Sequence, residues 1–401
     1  MAEKETILTV AEIAKKLNKQ FKTDTLAMFA DKTPTYGRVG ISDMGFDFPL
    51  FGGLPEGRIV TISGRQHSGK TLGACALISA YQRKYPDKVC VYVDVEHSLD
   101  KTFVAHMTGL DLTRLLYINT QGMACEDIFA MVLELQQSSD IGVIVIDSLA
   151  SMVSGADMDS DFEKDNGMRG SIAKPLHKFC RMINPMLFEK NNILVFINQV
   201  RIAGKTFTGA NIYSEPAGDA PNYYSSVMIR FGTRKFTKGD KYDVTDGEGV
   251  DGIRLQFAIM KNKTANVSRG GGFITFRYDT GMDWKTDLLE VALKYDFIKR
   301  PTTQSYVLWD LVNDKAYTNA DGSEKKFVGR AKLLEYLDSD IAFQNEYIKM
   351  LYDYIAETSK SYGSLLDERE REELVRQQKY LDNEIDEDEK VIAEEVSDAL
   401  E

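Results

Sequence analysis

The sequence predicts an α/β fold with a mostly parallel sheet that antiparallel strands extend, and three observations carry that expectation. Short apolar runs without polar alternation, IVTI at 59–62, VCVYV at 89–93, IGVIVI at 141–146 and ILVFI at 193–197, read as strands buried on both faces. Connections of roughly 15 to 40 residues with helical texture separate them, long enough for the crossovers that parallel neighbours require. A glycine-punctuated segment, Gly64 to Thr71, joins the first run to the helical stretch LGACALISAY, a strand-loop-helix sequence typical of such folds.

Along the chain, the first element is a short amphipathic helix. Thr9-Val-Ala-Glu12 has the spacing of a capping box, and Val10, Ile13, Ala14, Leu17 and Phe21 recur at helical intervals. A polar stretch with Thr33, Pro34 and Gly37 follows, so residues 1–35 read as an arm separate from a core over 36–296. After Gln199 the texture changes to Gly/Pro-punctuated strands, SSVMIRF, IRLQFAIM and FITFRY, expected to be antiparallel additions to the same sheet, followed by a helix from about Leu288 to Tyr295. Residues 297–360 mix short strands and helices and read as a small α+β C-terminal domain. There Tyr347, Met350, Leu351, Tyr354 and Ile355 form one helical stripe best read as core. Residues 361–401 form an acidic tail expected to be flexible.

Composition narrows the class. A chain of 401 residues, 43% hydrophobic and 27% charged, supports one sizeable core with smaller attachments. No apolar run approaches the roughly 18 to 20 residues that span a bilayer, and the start MAEKETILTVAEIAKKL is too charged for a secretory leader, so a cytoplasmic location is expected. Four cysteines without CxxC spacing read as reduced buried thiols, and four scattered histidines argue against zinc. The net charge of -12 does not exclude a nucleic-acid partner: from Asp382 onward ten acidic residues face the single Lys390, so the tail supplies most of the acidity and the body can still carry a basic groove.

The motif Gly64-Arg65-Gln66-His67-Ser68-Gly69-Lys70-Thr71 carries the first chemistry. Its glycines let a tight loop turn backbone N–H groups toward phosphate, and the following helix presents the positive end of its dipole. Lys70 is then placed to neutralise the β- and γ-phosphates of ATP and the Thr71 hydroxyl to ligate Mg²⁺. Asp147 ends IGVIVI, where an enzyme with such a loop places the carboxylate that holds Mg²⁺ through water. Glu96 lies just past VYVDV, at the same carboxyl edge of the sheet, and can orient an attacking water or serve as a capping acid.

Taken in order, these residues resemble the bacterial RecA-type recombinases from about residue 10 to about residue 340. The carriers are IAKKLNKQF, GGLPEGRIVTISG, SGKT, YVDVEHSLD, VIVIDSLASM, FINQVR, NYYSSVMIRF, the KNK triplet at 261–263 and the acidic tail. The resemblance implies a P-loop NTPase core of RecA-like type with ATP between adjacent protomers, Glu96 as catalytic base, Phe103 against the adenine and Asp100 near the sugar and base. It also implies that Lys261 and Lys263 reach the neighbour's γ-phosphate in the manner of an arginine finger, and that Gln199 senses that phosphate and passes its state to a mobile loop at about 202–220. On spacing alone Phe103 is core and KNK a basic turn.

Two DNA loops are implied, near 155–170 and 202–220, with Arg169, Gly170, Lys174, Arg201 and Gly218 directed at backbone phosphates. Such contacts suit a protein that loads on any single strand, leaving specificity to pairing with a homologous duplex. The arm implies a head-to-tail helical filament, and loader or single-strand-binding proteins are possible accessories. Arg65, Gln66 and His67, the acidic first loop (Asp157, Asp159, Asp161, Glu163, Asp165), the insertion at 238–252 and the region after Arg300 depart from the family pattern, and mark a divergent member of phage type. The first loop's alternating acids do not make a calcium site, since Phe162 occupies the turn that needs glycine. Two alternatives stay open: a hexameric helicase-type motor, which would lack the arm, and a mediator paralogue without catalysis, which would lack the set Lys70, Thr71, Glu96, Asp147 and Gln199.

Overall fold

The computed structural model describes residues 9–20, 37–158, 172–205, 211–214, 216–235, 252–265, 270–311 and 313–360. Residues 1–36 form one unit and 37–401 another. In the first, helix α1 (Val10–Gln20) carries the expected capping box: Thr9 N–H donates to Glu12 Oε2 at 2.8 Å and Glu12 N–H to Thr9 Oγ1 at 3.3 Å. Its apolar stripe of Val10, Ile13 and Leu17 is exposed.

The strands of the second unit, in chain order, are β1 (Arg38–Val39), β2 (Leu54–Pro55), β3 (Ile59–Gly64), β4 (Val89–Asp94), β5 (Leu115–Asn119), β6 (Ile141–Asp147), β7 (Ile193–Gln199), β8 (Arg201–Lys205), β9 (Asn211–Ser214), β10 (Val227–Lys235), β11 (Gly252–Asn262), β12 (Gly271–Arg277), β13 (Gly281–Met282), β14 (Ile298–Thr302), β15 (Ser305–Asp310), β16 (Lys315–Ala316) and β17 (Lys326–Val328). Its helices are α2 (Met44–Asp47), α3 (Lys70–Lys84), α4 (Lys101–Thr108), α5 (Cys125–Leu135), α6 (Gly155–Met158), α7 (Ala173–Lys190), α8 (Ala220–Tyr224), α9 (Trp284–Lys294), α10 (Arg330–Ser339) and α11 (Ile341–Lys360).

Among the described residues nine strands form the main sheet in the order β13-β12-β11-β10-β3-β7-β6-β4-β5. From β10 to β5 every neighbour is parallel, while β11, β12 and β13 add antiparallel at the other edge. Every residue of β3 and β6 is buried, as continuous apolar strands sandwiched by helices must be. Helices α3 and α4 cover one face, with Leu77, Val104 and Met107 in its core; α5 and α7 cover the other, where Phe129 and Phe179 stack at 4.5 Å. The fold class expected from the sequence is therefore the one observed.

One strand direction differs from expectation. VMIRF, in β10, runs parallel to β3, with Val227 opposite Val60, so the antiparallel extension begins one strand later. The reason lies in the connection: between Gln199 and Val227 the chain makes an antiparallel hairpin, β8 with β9, and then α8, a crossover long enough to bring it back to the same end of the sheet. The described parts of the segment expected as a mobile loop at 202–220 are thus strand and turn. Helix α9 also begins earlier than expected, because Asp283 caps it by accepting from Thr286 N–H at 3.2 Å.

The C-terminal strands β14–β17 and helices α10 and α11 pack onto α2 and α9 through a third apolar cluster that contains Phe48, Leu288, Phe297 and Leu333. Tyr347, Leu351 and Ile355 are buried there, as the helical stripe implied, and the Tyr347 hydroxyl donates to Phe297 O at 2.6 Å. Beside this cluster lies a buried ionic group. Arg254, 2% exposed, binds Asp287 at 3.1 Å and Glu290 at 2.7 Å, and Asp43 and Asp47 are also fully buried nearby. Asp47 accepts from Ile41 N–H at 2.8 Å and from the Tyr352 hydroxyl of α11 at 2.7 Å. Burial raises Asp47 and Asp287 to about 6, and burial reinforced by Asp287 and Asp47 raises Asp43 well above the usual carboxylate range. All four cysteines are buried and free of disulfides. Among the described residues no helix is long and apolar enough to cross a membrane.

Candidate nucleotide site

At the carboxyl end of β3 the chain turns through residues 65–69 and enters α3. Gly69 makes the entry possible: it sits at φ +79°, and a Cβ there would lie 2.2 Å from Leu255 Cδ2. Gly64 is equally close-fitted, since a Cβ would meet Ser68 Oγ at 2.3 Å. Glycine at both positions lets the backbone approach whatever the loop encloses. That loop forms one wall of a cleft of about 600 Å³, lined by residues 66–71. Gly64 lies in β3 behind it and Arg65 is exposed at its shoulder, contributing a carbonyl.

The ends of three more parallel strands close the cleft. Asp147, last in β6, accepts from Thr71 Oγ1 at 2.7 Å and from the Tyr92 hydroxyl at 2.5 Å. Burial raises its carboxyl above the ordinary aspartate range, and those two hydrogen bonds oppose the shift. Lys70 is lowered by burial, with Asp147 and Glu96 pulling the other way; its Nζ donates to Arg65 O at 2.9 Å. Glu96, just past β4, accepts at a single oxygen, Oε1, from Ser148 Oγ at 2.5 Å, from Gln199 Nε2 at 2.8 Å and from Ser151 Oγ at 3.3 Å. Gln199 is the last residue of β7, and the Asp147–Ser148 peptide is cis.

The remaining wall is aromatic. Asp100 caps α4, accepting from Phe103 N–H at 3.0 Å, and Phe103 turns into the cleft, 41% exposed. Tyr278, following β12, lines the cleft as well, its carbonyl held by His106 Nε2 at 3.0 Å. Sequence reasoning missed Tyr278, and with it Ile253, Ser98 and Val104. Only its place at the end of FITFRY could have pointed to it, because what brings it here is the approach of β13 to α4.

Other expected residues lie elsewhere. Lys261 and Lys263 are outside the cleft: Lys261 Nζ donates to Asn222 O and Lys263 Nζ to Tyr223 O at 3.4 Å. Burial, and then the charge of Lys263, lower Lys261 below the ordinary lysine range. Lys174 is exposed in the first turn of α7, Arg201 is exposed at the start of β8, and Gly218 is exposed at φ +69°. A Cβ on Gly218 would lie 3.1 Å from Ala173 Cβ, so Gly218 stands against the first residue of α7, next to Lys174. Arg169 and Gly170 lie outside the described residues.

The donor set suits a nucleoside triphosphate with its magnesium. A helix N-terminus, glycine-shaped backbone and an ammonium converge on one end of the cleft, beside the buried Ser68 Oγ that has no hydrogen-bond partner among the described residues. A hydroxyl and a carboxylate already 2.7 Å apart supply the small oxygen set that Mg²⁺ takes from protein.

Comparison with known proteins identifies the family. The family model described as the RecA N-terminal domain matches residues 8–283. Protein RecA of Colwellia psychrerythraea is 30% identical over 303 residues, covering 74% of this chain and 82% of its own. Protein RecA of Sulfurovum sp. is 27% identical over 304 residues, covering 75% and 82%, and that of Ectopseudomonas oleovorans 29% over 286, covering 71% and 78%. With a family match over more than half its length and curated relatives at this distance, the chain belongs to the RecA family as a divergent member.

Proposed function

We propose that this protein is an ATP-dependent homologous recombinase: it assembles as a filament on single-stranded DNA, pairs that strand with a homologous duplex and exchanges strands, hydrolysing ATP when DNA is bound. The observation that carries this reading is the bond from Gln199 Nε2 to Glu96 Oε1, because Gln199 ends β7 and Arg201 opens the β8–β9 hairpin two residues later. The residue whose side chain bonds the candidate base thus stands two positions before the start of the candidate DNA element. The RecA-family relatives support the same activity.

In this reading ATP with Mg²⁺ supplies the phosphoryl group and the charge that its transfer redistributes. Residues 64–70 hold the phosphates, with Lys70 as point charge; Thr71 and Asp147 hold the ion. Asp100, Phe103 and Tyr278 bind the sugar and base. Glu96 orients water and accepts its proton through the carboxylate oxygen that the serines leave open. Lys261 and Lys263 act on the ATP of a neighbouring protomer, stabilising charge in trans, so hydrolysis needs assembly. Gln199 exchanges Glu96 for the γ-phosphate and moves the hairpin with it.

Arg169, Gly170, Lys174, Arg201 and Gly218 contact DNA phosphates, giving affinity that falls with salt and ignores sequence. Residues 1–35 act as the polymerisation arm, 36–296 as the ATPase core, 297–360 as a small C-terminal domain, and 361–401 as an acidic tail that competes with duplex DNA for basic surface. The test is ATP hydrolysis with and without poly(dT), in wild type and in Lys261→Ala/Lys263→Ala, with sedimentation to report assembly and a strand-exchange assay beside it. DNA-stimulated hydrolysis lost in the double variant, with nucleotide still bound, is the expected result. Hydrolysis indifferent to DNA, or unaffected by the lysine changes, keeps the P-loop and overturns the recombinase reading, and no hydrolysis at all points to a mediator.

A further inference from the structure

Glu96 Oε1 receives three donors, but one carboxylate oxygen offers two lone pairs, so the three compete. Ser148 Oγ at 2.5 Å and Gln199 Nε2 at 2.8 Å take the better geometry, and Ser151 Oγ waits at 3.3 Å from the carboxylate and 3.4 Å from Ser148 Oγ. The two serines stand on one short 3-10 turn, Leu149–Ser151 with Ser148 at its cap, closed by Ser151 N–H donating to Ser148 O at 3.2 Å and anchored by the fully buried Leu149. Glu96 Oε2 accepts no hydrogen bond among the described residues.

We propose that Ser148 and Ser151 are positioning residues that hold Glu96 while Gln199 is engaged elsewhere. This rests on the ATPase reading above. When the Gln199 amide turns to phosphate, one lone pair of Oε1 falls open and the Ser151 hydroxyl moves a few tenths of an ångström to take it. Oε1 then keeps two donors at every stage of the cycle, and Oε2 keeps its direction toward the cleft. Without Ser151, the carboxylate is held by one bond at the moment its orientation matters and rotates about its terminal torsion, whose preferences are broad. The role is specific to a turn of sequence Ser148-Leu-Ala-Ser151 and needs no contact between either serine and nucleotide.

The test compares wild type, Glu96→Gln, Ser151→Ala, Ser151→Thr and Ser148→Ala by steady-state hydrolysis on saturating poly(dT), with the dissociation constant of a non-hydrolysable ATP analogue measured on each. Ser151→Ala is expected to lower kcat about three- to tenfold and Ser148→Ala more, with KM and analogue affinity within about twofold of wild type, the pattern of an interaction felt only in the transition state. Ser151→Thr keeps the hydroxyl and is expected to return kcat to within about twofold. If wild type is active and Glu96→Gln is not, yet Ser151→Ala leaves kcat unchanged or alters only KM, the positioning role is overturned and the site reading stands. If Glu96→Gln is as active as wild type, or wild type does not hydrolyse ATP, the site reading falls and takes this inference with it.

Discussion

The buried acids beside Arg254 make a quantitative prediction about Asp47→Asn. Asp47 is fully buried and raised from 3.8 to about 6, a difference of about two units, and at roughly 1.4 kcal/mol per unit this is about 3 kcal/mol. The sign follows from linkage: an acid whose folded value is raised contributes stability that is complete below 3.8 and lost as pH climbs through about 6. Above that pH the wild-type chain carries the whole cost, and asparagine, which does not ionise, carries none. The substitution has its own cost. Its oxygen can still accept from Ile41 N–H, and its NH₂ can donate to a Tyr352 hydroxyl turned to accept, but Asp43 N–H loses a 3.3 Å bond, a loss of about 1 kcal/mol.

Asp47→Asn is therefore expected to be less stable than wild type by about 1 kcal/mol near pH 3 and more stable by about 2 kcal/mol at pH 7.5, crossing between the two. Urea unfolding followed by tryptophan emission measures this, since Trp284 opens α9, the helix that carries Asp287, and Trp309 lies in β15. A difference with the same sign and size at both pH values would refute the reasoning, because it would mean Asp47 does not titrate differently in the folded chain.

Three further outcomes follow from the cleft. Gly69→Ala forces a side chain into φ +79° against Leu255, so it should lose binding of an ATP analogue by equilibrium dialysis and lower thermal stability by about 1–2 kcal/mol. Thr71→Val removes the hydroxyl that meets Asp147 and should weaken Mg²⁺-dependent analogue binding about tenfold, leaving binding in EDTA unchanged. Tyr278→Ala should weaken binding about fivefold while Tyr278→Phe, which keeps the ring, should not; fluorescence of an adenine-modified analogue reports both.

How much of this was legible in the sequence depends on range. The four apolar runs became buried parallel strands because a stretch without alternation has few other stable fates, and Gly64–Thr71 became a loop before a helix because its glycines permit little else. The direction of β10 was not legible, since VMIRF reads the same either way and its sense is set by the path through β8, β9 and α8. The roles of Tyr278 and Ser151 depend on which strand ends meet at one edge, information spread over more than a hundred residues of chain. Asp43, Asp47 and Asp287 read as ordinary turn and helix acids; only the return of α9 and α11 across α2 buries them together.

The Lys70 ammonium bonds the carbonyl of Arg65, five residues back in its own loop, and Thr71 bonds Asp147. A phosphate chain arriving here trades partners with groups already in place, so little chain entropy is spent on ordering the loop and its selectivity resides in the trade. In the proposed reading a ligand gains by entering only when its charge outbids a main-chain carbonyl for that ammonium, which favours a phosphate chain over an uncharged nucleoside.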